Sequence, residues 1–261
     1  MKECTVMTRD YAMRCPDGHS ISLDIFAPRS FRQDRTGILF VHGGGFVGGD
    51  KDQFLGAASF LSLTEDVVCV TLQYRTAYTS PYPAAVLDTA DAIAWMRDHS
   101  EELGIDRERI IPVGGSPGAN IILLASNRVW LEKYGRKDAW VPSHAVLLNG
   151  IYDMSSFWEG NKAEHESVRC YLNFEEDDRE KALREASPME YPYKGQTFDL
   201  LHGEEDEVVP FAECVKMADK LTTDGSSVRI FSFRGKGHAW FNDALNQYDA
   251  WECIARCISE K

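Results

Sequence analysis

The run Gly114-Gly115-Ser116-Pro117-Gly118 directly follows the apolar segment Arg109-Ile110-Ile111-Pro112-Val113. A serine with glycines two positions either side is what a chain needs to turn straight from a strand into a helix. The glycines relieve the crowding, and the hydroxyl is left exposed at the turn. Residues 119–125 are apolar nearly all round, as expected of a helix buried against a sheet. The stretch therefore reads as a nucleophile elbow. Pro117 departs from the usual pattern. The residue after the nucleophile normally donates its N–H to a developing oxyanion, and proline has none. Proline does suit the first position of a helix, where an N–H would be unpaired anyway.

The rest of the chain fits a strand–helix alternation. Residues 37–41 and 67–72 are continuous apolar runs, which suit parallel strands covered on both faces. Further strands are predicted at 145–148, 198–201 and 228–231. After the turn Asp17-Gly18-His19, residues 20–26 alternate strictly and predict an edge hairpin strand. Val86, Leu87, Ala90, Ile93 and Ala94 recur at helical spacing behind Pro83, a second helix is expected over 211–221, and Leu245, Tyr248, Trp251, Ile254, Ala255 and Ile258 predict a last amphipathic one. This is an α/β fold with a mainly parallel central sheet and helices on both faces. No linker-like tract divides residues 1–261, so one domain is expected. Residues 153–193 interrupt the alternation with polar, aromatic and acidic sequence and read as a small cap-like insertion over the carboxyl edge of the sheet. Its acidic run, Glu175-Glu176-Asp177-Asp178, reads as a solvated helix face or loop.

Composition narrows the function. A net charge of −13 excludes a phosphate-backbone partner, because nucleic-acid binding needs concentrated Lys and Arg. At 44% hydrophobic residues the chain can bury a core that needs neither disulfides nor a structural metal. No stretch approaches a membrane span and the first residues lack the apolar core of a signal peptide, so a cytoplasmic protein is expected. The seven cysteines are scattered without zinc-type spacing, Cys253 and Cys257 lying one helical turn apart, and read as free thiols. No metal site is expected; a homodimer stays open.

A serine hydroxyl is a weak nucleophile at neutral pH and needs a base to take its proton and an acid to orient that base. Asp206 follows the 198–201 strand within His202-Gly203-Glu204-Glu205-Asp206-Glu207-Val208-Val209-Pro210, and His238 follows the 228–231 strand within Gly235-Lys236-Gly237-His238-Ala239-Trp240. Both lie at carboxyl ends of strands, where open α/β sheets gather reactive groups. Spacing favours Asp206 over its neighbours Glu205 and Glu207, which are placed in solvent. His42-Gly43-Gly44-Gly45-Phe46 ends the 37–41 strand, so Gly43 and Gly44 are the expected oxyanion donors and His42 braces the loop. His202 is expected to hold the Asp206 loop. Phe46, Trp158 and Trp240, with Phe157 and Phe241, are the candidates for lining a substrate pocket.

The motifs HGGGF and GGSPG are joined by Tyr74-Arg75, Tyr82-Pro83-Ala84-Ala85, Asp88, Gly104-Ile105-Asp106 and Ser187-Pro188, and the resemblance they carry extends over almost the whole chain. Together they make it resemble the α/β-hydrolase fold esterases of the hormone-sensitive-lipase and feruloyl-esterase-like groups. The resemblance implies cofactor-free hydrolysis of a small carboxylic ester through an acyl-enzyme. Ser116 would be the nucleophile, His238 the proton shuttle and Asp206 its orienting acid. Short, acetyl-like acyl groups, including those carried on sugars, are the expected substrates. Two other functions stay open: an arylformamidase-type amidase, and a ligand-binding protein that catalyses weakly or not at all because Pro117 removes an oxyanion donor.

Overall fold

The structure, a computed structural model, describes residues 5–259. Its centre is a strand, β3 (Arg35–Val41), buried at every position. Side chains alternate across such a strand, and here Leu39 and Val41 enter one core while Ile38 and Phe40 enter another on the opposite face. A continuous apolar run is thus the signature of a strand covered on both sides.

Among the described residues, eight strands form one sheet. They are β1 (Thr5–Arg14), β2 (Ser20–Pro28), β3, β4 (Val68–Gln73), β5 (Ile105–Gly115), β6 (His144–Leu148), β7 (Thr197–Gly203) and β8 (Ser227–Phe233), in the spatial order β1-β2-β4-β3-β5-β6-β7-β8. β2 runs antiparallel to both of its neighbours, and every pairing from β4 to β8 is parallel. The helices Ala84–Asp98, Pro117–Ala125 and Phe211–Thr223 feed Val86, Ile121 and Met217 into one core. Leu55–Thr64 and Gln247–Ser259 feed Leu61 and Ile254 into the other. Each fully buried side chain of this size contributes about 1.5–3 kcal/mol.

Two expectations at the ends of the fold need correction. The 20–26 strand is not an edge, because β1 lies outside it. β1 escapes a reading by alternation because it is mostly exposed and a bulge between Thr8 and Tyr11, with Asp10 at φ 54°, breaks its period. Leu245 does not belong to the last helix, which begins at Gln247, and it is 89% exposed.

Residues 153–193 carry three short helices, Met154–Gly160, His165–Leu172 and Arg179–Glu185. The acidic run between the last two is exposed, with Glu176 paired to Arg169 and Arg179. Asn120 ties the insertion down: its side-chain amide donates to Ile151 O and Ala186 O, both at 3.0 Å. The helix behind the elbow therefore sets the position of the segment above it.

Candidate active site

Ser116 sits where β5 ends and the helix Pro117–Ala125 begins, at φ 55° and ψ −122°. Such a backbone costs about 1–3 kcal/mol and persists only where its surroundings hold it. The Ser116 N–H donates to Leu148 O at 2.8 Å, which fastens the turn to β6. The flanking glycines are demanded by space. A Cβ on Gly118 would lie 2.3 Å from Val41 O, and one on Gly114 would lie 2.6 Å from Ile122 Cδ1.

The three residues predicted from separate strand ends meet here. Ser116 Oγ lies 2.8 Å from His238 Nε2, and His238 Nδ1 lies 2.8 Å from Asp206 Oδ2. Asp206 Oδ1 accepts the Val208 and Val209 N–H groups at 2.9 and 2.8 Å. Burial pushes the Asp206 carboxyl up, but hydrogen bonds from His202 and His238 and from the Val209 N–H outweigh it and hold the group well below the usual carboxylate range. An ionised Asp206 keeps the proton of the imidazole on Nδ1, so Nε2 faces Ser116 as an acceptor.

His202 holds the Asp206 loop, with Nε2 donating to Val209 O at 2.8 Å. His42 braces the glycine loop. Its Nδ1 donates to Gly43 O at 2.8 Å, its ring stacks on Tyr74 at 4.0 Å, and Tyr74 OH donates to His42 O. Burial pushes the His42 imidazole down to about 4, so it stays neutral.

The glycine loop is placed as expected beside Ser116, but one of its donors is engaged. The Gly43 N–H donates to Gln53 Oε1 at 2.6 Å. Gly44, at φ +119°, has no acceptor for its N–H among the described residues. Pro117 has no N–H to give.

A cavity of about 290 Å³ opens above Ser116 and His238. Its apolar wall is Ile151, Phe157, Val208 and Phe241, and its polar wall includes Gln53, Glu164 and Asn242. Three of the aromatics expected there lie elsewhere. Phe46 is fully buried and stacks on Tyr171 at 4.0 Å, Trp158 stacks on His165 at 3.7 Å, and Trp240 is buried against Phe233 at 4.1 Å. Each packs its ring against another ring, a contact that its position in a loop could not reveal.

Sequence reasoning also passed over Asn149, Gln53 and Glu164. Asn149 carried a readable signal, a polar residue at the carboxyl end of an apolar strand; its side chain donates to Asp206 Oδ2. Gln53 and Glu164 had none, since folding alone brings them to the cavity. A cluster of Cys15, His19 and Asp88 has ligand atoms within 4.8 Å of one another. Arg75 already holds both Asp88 oxygens, at 2.6–3.1 Å, and burial beside Asp88 pushes the Cys15 thiol up to about 12. A guanidinium and a protonated thiol leave a cation poorly served there.

Known proteins agree with this architecture. The sequence model of the BD-FAE family matches residues 23–221. Lipase 2 of Moraxella sp. is 34% identical over 241 residues, 80% of this chain and 55% of that protein. The ethyl acetate hydrolase of Pseudomonas putida is 30% identical over 148 residues, 56% of this chain and 45% of that protein. The chain spans between 28% and 55% of the length of such curated relatives. The crystal structure of EstE1, a thermophilic carboxylesterase cloned from a metagenomic library, superimposes with a TM-score of 0.82 at 24% identity, covering 99% of this chain and 90% of that one. The elbow, the sheet order and these matches converge on one statement: the chain belongs to the BD-FAE family and has the α/β-hydrolase fold.

Proposed function

We propose that the chain is a serine carboxylesterase of short-acyl, acetyl-like esters, including those of sugars, working through an acyl-enzyme. The observation that carries this reading is the unbroken relay from Ser116 Oγ through His238 to Asp206, 2.8 Å at each step, under a cavity of about 290 Å³. A cavity near the lower end of ligand-pocket sizes favours a small ester. Glu164 and Asn242 on the polar wall suit a hydroxylated alcohol portion. The relative named an ethyl acetate hydrolase supports a two-carbon acyl group.

In this mechanism His238 Nε2 takes the Ser116 proton as Oγ bonds to the ester carbonyl, and the carbonyl π electrons move onto oxygen. Asp206, kept ionised, stabilises the imidazolium. Collapse expels the alcohol, which takes its proton from Nε2. Water then repeats the sequence on the acyl-enzyme, with His238 again as base. The described cysteines are free thiols, which suits a reducing compartment such as the cytoplasm.

The test is hydrolysis of aryl acetate, butyrate and octanoate, a sugar acetate and an aryl formamide, with Ser116→Ala as control. Acetate and butyrate should be preferred, and Ser116→Ala should lower kcat by about 10⁴–10⁶. Undiminished turnover in that variant would sink the mechanism. A formamide preferred over acetate would make the protein an amidase.

A further inference from the structure

The site is short of oxyanion donors. Pro117 lacks an N–H, the Ser116 N–H is spent on Leu148 O, and the Gly43 N–H is spent on Gln53 Oε1. Gly44 and Gly45, which line the cavity with Ser116, have N–H groups without an acceptor among the described residues. The position after the nucleophile, where a further donor usually stands, is left empty by Pro117.

Gln53 brings its own donor to the same place. A backbone N–H can be accepted only by the oxygen of a carboxamide, so the bond from Gly43 fixes which way the Gln53 amide faces and turns Nε2 to the other side. The point where a Cβ of Gly43 would stand lies 3.1 Å from Gly115 O, 3.5 Å from Gln53 Nε2 and 3.5 Å from Ser116 Cβ. The amide NH₂ and the serine thus flank one small space, which exists because residue 43 has no side chain. Gln53, Gly43, Gly44, Ser116 and His238 line the same cavity.

The side chain is also held in advance. Gln53 lies in the turn Lys51–Phe54, whose backbone is pinned by Asp50 accepting the Asp52 N–H at 2.8 Å. Lys51 is buried in ion pairs with Asp24 and Asp10, and Phe54 is stacked between Phe40 and Phe241. With Lys51 and Phe54 anchored, the turn that carries Gln53 is held at both ends. Accepting at Oε1 also polarises the amide and strengthens its N–H as a donor.

We infer that Gln53 is a catalytic residue whose side-chain Nε2–H donates to the oxyanion, standing in for the N–H that Pro117 lacks. This rests on the esterase reading above. As Ser116 Oγ bonds to the carbonyl carbon and its proton passes to His238 Nε2, the π pair moves onto the carbonyl oxygen, which accepts from Gln53 Nε2–H and Gly44 N–H. When the alcohol leaves, the C=O bond re-forms and both hydrogen bonds weaken. Gln53 then gives most in the transition state and little in the ground state.

The experiment is a double-mutant cycle on aryl acetate hydrolysis with Gln53→Ala, Pro117→Ala and the pair, plus Gln53→Glu, which keeps the shape and the acceptor for Gly43 but has no NH₂. Gln53→Ala should lower kcat by about 10- to 1000-fold with KM little changed. The same change made in Pro117→Ala should cost less than about tenfold, because a backbone N–H has been restored. Gln53→Glu should be slower still, since a carboxylate repels the oxyanion, and it decides the matter if the alanine variant does not fold. Unchanged or raised kcat in Gln53→Ala, or equal losses in both backgrounds, would overturn the assignment and leave Gln53 as a plug on Gly43. A wild-type protein without Ser116-dependent turnover or labelling by a fluorophosphonate would instead overturn the esterase reading, and this inference with it.

Discussion

Asn149 donates its side-chain amide to Asp206 Oδ2, the same oxygen that receives His238 Nδ1. Two donors on one oxygen, with Val208 and Val209 on the other, fix the carboxylate in the plane the imidazole needs. Asn149 stands at φ 46°, a backbone that asparagine tolerates better than other side chains. In Asn149→Ala the buried Asp206 loses a partner, and alanine is strained at that φ. Stability should fall by about 1–3 kcal/mol in urea unfolding. Acetate turnover should fall about tenfold with KM unchanged, because the asparagine positions the triad without meeting substrate.

Pro117→Ala restores an N–H at the position after the nucleophile and frees the unfolded chain. kcat for aryl acetate should rise about three- to thirtyfold, less than the 10²–10³ attached to a sole donor, because other donors remain. Stability should fall by about 0.4–1 kcal/mol through the added entropy of the unfolded state, since proline is at ease at the start of this helix. Turnover that stays flat in a folded variant would show that the missing N–H does not limit the rate.

What the chain reveals before folding follows from the range of each interaction. The elbow, the triad order and the strands β3 to β8 were legible because continuous apolar runs and glycine demands are local. That Ser116, Asp206 and His238 meet could be read because each follows the carboxyl end of a strand, and parallel strands put such ends together. The pocket wall was not legible: Phe46 and Trp240 turn into packing, while Phe157 and Phe241 reach the cavity. Which face of a loop an aromatic takes is settled by partners far along the chain, such as Tyr171 for Phe46. Gln53 was invisible for the same reason, since its meeting with Gly43 needs the turn Lys51–Phe54 to fold back over the loop.

Asp91 gives a pH dependence whose sign can be worked out. Burial raises its carboxyl from 3.8 to about 6, Arg136 opposes the rise and Asp88 adds to it. Below about pH 3.8 both folded and unfolded states hold the proton. Between 3.8 and 6 the unfolded chain releases it while the folded one keeps it, so stability falls as pH rises through that window and is then level. Asp91→Asn mimics the protonated acid. At pH 7.5 it should be about 1–3 kcal/mol more stable than wild type, and the difference should vanish below pH 4. Unfolding free energies from urea titrations at the two pH values decide the point.

Phe157 belongs to the insertion, yet it forms part of the wall facing Ser116, so the segment over the sheet edge sets the size of the site. It is 8% exposed and packs on the main core, and its truncation both removes stability and opens the cavity. Phe157→Ala should destabilise by about 3–5 kcal/mol if the space stays empty. It should also raise the octanoate-to-acetate ratio of kcat/KM at least about tenfold, because one methylene accommodated in an apolar pocket is worth about 1–3 kcal/mol. The two effects should part when ligand is present: a bound octanoyl phosphonate should recover more of the lost thermal stability in the variant than in wild type, since it fills the space the ring has left. An unchanged acyl preference in a folded variant would take the acyl group away from Phe157 to another part of the cavity lining.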